Sequence, residues 1–127
     1  MSRQSISTEA APAAIGPYSQ AIRAREFVFV SGQIPFNPAT GELVTGDIEA
    51  EAAQSLDNIK AVLDAAGLMM DDIVKTTIFL TDLGNFAKVN EVYASYFTDE
   101  PPARSTVQVA ALPRGVNVEI DAIAFIG

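Results

Sequence analysis

The amino-acid sequence predicts an α+β fold, a mixed β-sheet carrying two helices on one of its faces. Two observations lead there. Apolar residues alternate at a period of two in short β-branched stretches, but recur at steps of three and four in two longer ones. Along the chain these stretches read strands, helix, strand, helix, strands, which describes an α+β sandwich. At 127 residues the chain has room for one domain, 1–127, with a core that needs neither disulfides nor a structural metal.

The first 17 residues are rich in Ser, Thr, Ala and Pro and read as an irregular lead-in with a short strand at Ser5 to Thr8. Ala21 to Ala24 and Phe27 to Ser31 follow as two strands joined by a polar Arg25-Glu26 tip. The glycines and prolines of SGQIPFNPATGELV then mark turns or a second hairpin. From Ile48 to Ala66 the period changes. Ala52, Leu56, Ile59, Leu63 and Ala66 fall on one helical face, Asp47 suits the N-cap, Glu49 and Glu51 suit the positive first turn, and Gly67 supplies the stop. Val74 to Leu80 is β-branched and reads as a strand.

A second helix is expected from Asn85 to Phe97, its buried stripe formed by Phe86, Val89, Tyr93 and Tyr96/Phe97, with Pro101-Pro102 ending it. Two strands close the chain, 103–112 and 116–126, joined by a Pro113-Arg114-Gly115 turn.

Composition removes most chemistries. The chain has no Cys and no His, so it has no thiolate nucleophile, imidazole base, Ser-His-Asp triad, or cysteine or histidine metal site. With 8 Lys+Arg against 16 Asp+Glu, a net charge of -8 argues against nucleic acid and against anionic membranes as ligands. No run approaches the roughly 18 apolar residues of a membrane span, and no export signal is visible, so a cytoplasmic protein is expected.

Side-chain alternation locates a candidate site. If the last two strands form a hairpin whose apolar sets merge against the helices, then Arg104, Thr106, Gln108, Glu119 and Asp121 project together on the other side. Ile123 and Phe125 continue that face, giving the half-apolar, half-charged surface expected where sheets of several subunits meet. An Arg and a Glu there can hold an anion and a water side by side. Asn90 places an amide on an otherwise buried helical stripe, which fits a loop cap as well as a ligand contact. Taken alone, Tyr18 and Ser31-Gly32 read as packing and turn residues.

GPYSQA at 16–21, FVSGQIPFNPATGEL at 29–43, FAKVNEVYASYF at 86–97 and PARSTVQVAALPRGVNVEIDAIA at 102–124 together resemble the RidA (YjgF-type) reactive-intermediate deaminases. The resemblance runs over nearly the whole chain from Gly16. It implies a chorismate-mutase-like α+β subunit, a homotrimeric barrel with a site in each cleft between subunits, and no cofactor. The implied activity is hydrolysis of enamine and imine intermediates, 2-aminoacrylate and its imine tautomer, to 2-oxo acids and ammonia. It also implies a functional link to the pyridoxal-phosphate-dependent dehydratases that release such intermediates.

Carried onto this sequence, the resemblance makes Arg104 the grip on the substrate carboxylate and Glu119 the group that positions or activates water. Tyr18, Ser31, Gly32, Asn90 and Thr106 become pocket residues, and no metal is implied. Many members carry Cys where this chain has Thr106, so thiol-dependent switching is excluded here. A rival from another class is a non-catalytic trimer that binds a 2-oxo acid or amino acid; Arg104 serves both readings, whereas a water-holding Glu119 is needed for hydrolysis alone.

Overall fold

The computed structural model describes residues 2–127. Strands β1 (Gln4–Ile6), β2 (Ala21–Ala24) and β3 (Phe27–Gln33) are followed by β4 (Phe36–Asn37) and β5 (Glu42–Leu43), then helix α1 (Ile48–Ala65). Strand β6 (Ile73–Leu80), helix α2 (Phe86–Ala94), β7 (Ala103–Gln108) and β8 (Val118–Phe125) complete the chain. The main sheet has the order β1-β2-β3-β8-β6-β7, and β4 and β5 form a small separate hairpin. The sheet is mixed, because β7 runs parallel to β6 while the other pairs are antiparallel.

Helix α1 forms where its periodicity places it. The Asp47 side chain accepts the Glu49 N–H at 3.0 Å, satisfying one of the donors that a helix start leaves open. Gly67, at φ +77°, takes the left-handed conformation that stops the helix. The apolar face of α1, Ala52, Leu56, Ile59, Val62 and Leu63, lies fully buried with Val28 and Val30 of β3, Ile78 and Leu80 of β6, and Val118, Ile120 and Ala122 of β8. Each large side chain buried this way contributes about 1.5–3 kcal/mol. Among the described residues no helix is long and apolar enough to cross a membrane.

Helix α2 is shorter than its periodicity predicts. A single 3-10 turn at Leu83–Asn85 precedes it, with the Asp82 side chain accepting the Gly84 N–H, and Gln108 of β7 accepts the Leu83 N–H at 2.9 Å. After Ala94 the bonds tighten to i→i+3, from Tyr96 to Tyr93 and from Phe97 to Ala94. Phe97 still packs on Tyr93, their ring centroids 4.9 Å apart.

The register of the last strands overturns the hairpin expectation. Strands β7 and β8 are not neighbours: both flank β6, which pairs Thr76 with Arg104 on one side and with Ala122 on the other. Arg104 and Thr106 therefore share the face of buried Thr76 and Ile78, the helix side, while Glu119 and Asp121 share the opposite face with Phe79 and Thr77. The reason is the crossover. The strand-helix-strand run β6-α2-β7 makes a parallel pair, which places β7 at the outer edge and leaves β8 to insert on the inner side of β6. The strand β8 half of the parity reading holds: Val118, Ile120 and Ala122 are buried against α1.

Candidate functional site

The candidate residues fall into two groups on opposite faces of the sheet. The first forms where the edge strand β7 meets α2. Arg104 Nη1 donates to Asn90 Oδ1 at 2.7 Å, and the guanidinium lies over two rings, 5.4 Å from the centroid of Phe86 and 5.1 Å from that of Tyr93. Such distances are within reach of cation–π attraction. Asn90 thus neither caps a loop nor stands idle, but holds one of the guanidinium's five donors.

Tyr93 is anchored in turn, its hydroxyl 2.6 Å from the Thr76 hydroxyl inside the core. Burial pushes its phenol above the usual value, against the opposing pull of the Thr76 bond and of Arg104, so it stays neutral beneath the cation. Arg104, Asn90, Tyr93, Phe97, Asp99 and Pro102 line an open cavity of about 590 Å³. On the same face Thr106 buries a hydroxyl oxygen that has no hydrogen-bond partner within the chain. A preoriented guanidinium fork at a cavity wall is a receptor for a carboxylate.

The second group lies on the sheet face that the helices leave uncovered. Glu119 points from β8 against Gly32, which sits in the irregularity between Val30 and Gln33 of β3. A Cβ added at Gly32 would fall within the carboxylate, 2.8 Å from Glu119 Cδ, so glycine is what lets the acid lie there. Burial, and secondarily the charge of Asp121, raise the Glu119 carboxyl above the ordinary carboxylate range. Asp121 is raised as well, chiefly by burial, although it accepts the Thr77 N–H at 3.2 Å and lies near Lys75. A carboxylate shifted upward is a stronger base than an exposed one, which suits it to draw a proton from water.

Tyr18 and Ser31 line a neighbouring cavity of about 630 Å³. The Tyr18 hydroxyl accepts the Ile15 N–H at 3.3 Å, which leaves its own proton to donate. Ser31 Oγ donates to Ser19 O at 2.6 Å, so toward a ligand it offers lone pairs. The buried Gln20 holds this wall together: its amide donates to the carbonyls of Thr8, Ala11 and Pro12 and accepts the Thr8 N–H. Nothing in the sequence pattern marked Gln20, because its role is set by a lead-in with no periodicity.

Within one chain the two groups are separate. Two strand spacings and three residues of rise put about 14 Å between the backbones of Arg104 and Glu119, whose side chains point to opposite sides. Arg104, Asn90 and Thr106 come together; Tyr18, Ser31, Gly32 and Glu119 come together; the structure does not join the sets in one protomer. Among the described residues no group of three or more His, Cys, Asp or Glu is arranged to hold a metal ion.

Two outcomes follow from the second group. Gly32→Ala displaces a flexible carboxylate rather than backbone, so the melting temperature should stay within a few degrees of the wild type while the Glu119 carboxylate is forced from its place. Thermal melts and the carboxyl NMR shift of Glu119 check this. Asp121→Asn removes a like charge, so the Glu119 pKa moves down but stays elevated because burial remains its larger cause. The carboxyl NMR shift of Glu119 followed against pH checks this, its titration moving to lower pH in the variant while staying above the ordinary carboxylate range.

Comparison with known proteins adds independent findings. Residues 8–126 match the family model described as endoribonuclease L-PSP. The chain is 55% identical over 124 residues to a protein of Escherichia coli K12 named 2-iminobutanoate/2-iminopropanoate deaminase, covering 95% of this chain and 96% of the relative. It superposes at a TM-score of 0.95 on YyfA of Yersinia pestis, described as a member of the conserved Rid protein family, at 54% identity and covering 98% and 99% of the two chains. It superposes at 0.92 on E. coli TdcF with bound serine, at 48% identity over 98% and 99% of the two chains.

Proposed function

Since the chain belongs to the endoribonuclease L-PSP family, which includes Rid proteins and proteins named as imine deaminases, we propose that it hydrolyses small 2-imino acids of the 2-iminopropanoate and 2-iminobutanoate class to 2-oxo acids and ammonia. The observation that carries this reading is the Arg104 guanidinium, clamped by Asn90 and two aromatic faces at the wall of an open cavity. It suits the carboxylate of such a substrate. The bound serine named for TdcF, a small amino acid with the same carboxylate, supports a ligand of this size.

The separation of Arg104 from Glu119 shapes the rest of the proposal. One small substrate can meet both only if they come from two protomers, Arg104 and Asn90 from one, Glu119, Gly32, Ser31 and Tyr18 from its neighbour. The uncovered face that bears Glu119 supports this arrangement. It also presents Phe27, 40 % exposed, and Phe29, 45 % exposed, a surface that a second copy would cover. A homotrimer satisfies the geometry with a repeated head-to-tail contact that closes on itself.

In the mechanism we infer, Arg104 takes the carboxylate and presents the electrophilic imine carbon to a water held by Glu119. Starting from the iminium form, Glu119 accepts a proton as the water oxygen bonds to that carbon, giving a neutral carbinolamine. Glu119 returns this proton to the nitrogen; then, as the C–N bond breaks and ammonia leaves, it takes the hydroxyl proton, the C=O of the 2-oxo acid forms, and Glu119 passes that last proton to solvent. The substrate is reactive by itself, so orientation plus acid–base assistance of about 10²- to 10⁴-fold suffices. One class of reaction that supplies such imines is the elimination of water from hydroxy amino acids, which is pyridoxal-phosphate chemistry carried out by other enzymes.

The test is a coupled assay. A serine or threonine dehydratase generates the enamine, semicarbazide traps the imine, and the protein should suppress the trapped product. Failure of the wild-type protein to suppress it would reject the hydrolase reading.

A further inference from the structure

Arg114 has a backbone that the chain did not need to choose. It sits at φ 58°, ψ 21° between Pro113 and Gly115, in the left-handed region where a non-glycine residue is strained by about 1–2 kcal/mol. Glycine in the same place would carry no strain, and strain retained in a folded protein concentrates where a side chain must be aimed. This one is aimed. The exposed guanidinium lies 5.4 Å from the centroid of the Phe36 ring, a contact that favours this position and leaves its in-plane N–H donors available.

The place it is aimed at is a small cavity of about 140 Å³ that it lines together with Tyr18, Gly32, Ile34 and Phe36. Gly32 is the residue against which Glu119 lies. The cavity thus shares Gly32 with the candidate base, its walls are mostly apolar, and its one charged lining group is a cation. Its volume equals that of about five liquid waters, enough for two methylenes and a carboxylate. The chain as a whole carries a net charge of -8, so a doubly anionic substrate is repelled unless a local cation offsets the field.

We propose that this cavity is a side-chain subsite for dicarboxylic imino acids, those with the skeletons of aspartate and glutamate, with the methylenes against Ile34 and Phe36 and the distal carboxylate on Arg114. The inference rests on the hydrolase reading above and extends its substrate class. Arg114 makes no contact with the reacting atoms; it determines specificity.

The experiment compares hydrolysis of two imines in the semicarbazide assay, 2-iminopropanoate and 2-iminoglutarate, each generated by an amino-acid oxidase from alanine or glutamate. Arg114→Gly is the informative variant, because glycine accepts the left-handed backbone and the fold is spared. The wild type should hydrolyse both imines, and the ratio of kcat/KM for the dicarboxylic over the monocarboxylic substrate should fall at least tenfold in Arg114→Gly, mainly through KM, with Arg114→Lys in between. A wild type that hydrolyses 2-iminopropanoate but not 2-iminoglutarate, or a ratio unchanged in Arg114→Gly, overturns the subsite and leaves the hydrolase standing. Hydrolysis of neither imine removes both.

Discussion

Replacing Arg104 by alanine should lower kcat/KM for 2-iminopropanoate hydrolysis by about 10²- to 10³-fold, the equivalent of two charge-assisted hydrogen bonds to a carboxylate at about 1.5–3 kcal/mol each, only partly offset by water. The melting temperature should change little, because the guanidinium is half-exposed at the cavity wall and Asn90 can bond to water in its place. Arg104→Lys separates charge from geometry. Lysine keeps the cation but loses the planar fork and the stacking on Phe86 and Tyr93, so it should recover a minor part of the loss. Steady-state kinetics of both variants beside wild type check the prediction, and equal activity in all three would remove Arg104 from the site.

The second large effect is expected at Glu119. Glutamine keeps the shape against Gly32 and can still hold a water, but it cannot take a proton. Glu119→Gln should reduce kcat by about 10²- to 10⁴-fold with a much smaller change in KM. Binding of 2-oxobutanoate, measured by calorimetry, should persist because the carboxylate grip is elsewhere. Full hydrolysis in Glu119→Gln would show that no proton passes through this carboxyl.

What the sequence made legible was whatever local periodicity governs. Helix α1, its Asp47 cap and its Gly67 stop could be read directly, because capping and amphipathicity act within a few residues. The faces of β8 were legible for the same reason: alternation alone puts Val118 and Ile120 inward and Glu119 and Asp121 outward. Joining β8 to β7 was not legible from alternation, since parity within a strand says nothing about which strand lies beside it. The signal that decides it was present in the order of elements. A strand, a helix and a strand in succession, β6-α2-β7, favour a parallel pair over a β7–β8 hairpin, and that choice carries Arg104 to the helix side.

The candidate site divides along the same line. Asn90 was visible as an amide on an apolar stripe, but its partner depended on the face of β7 and so on the sheet order. Tyr18, Ser31 and Gly32 had no local signature beyond a turn, and entered through the resemblance of whole motifs. Gly32 acquires a physical reason only when Glu119 is seen to occupy the space of its missing Cβ.

The most direct measurement mixes two inactive proteins. Arg104→Ala and Glu119→Gln, each purified, are co-refolded at equal amounts and assayed for 2-iminopropanoate hydrolysis. If Arg104 of one protomer works with Glu119 of its neighbour, random assembly rebuilds intact sites wherever the complementary protomers meet, and activity should recover to about a quarter of the wild-type level. If the mixture stays as inactive as its two components although mass spectrometry shows mixed oligomers, Arg104 and Glu119 do not share a site across protomers.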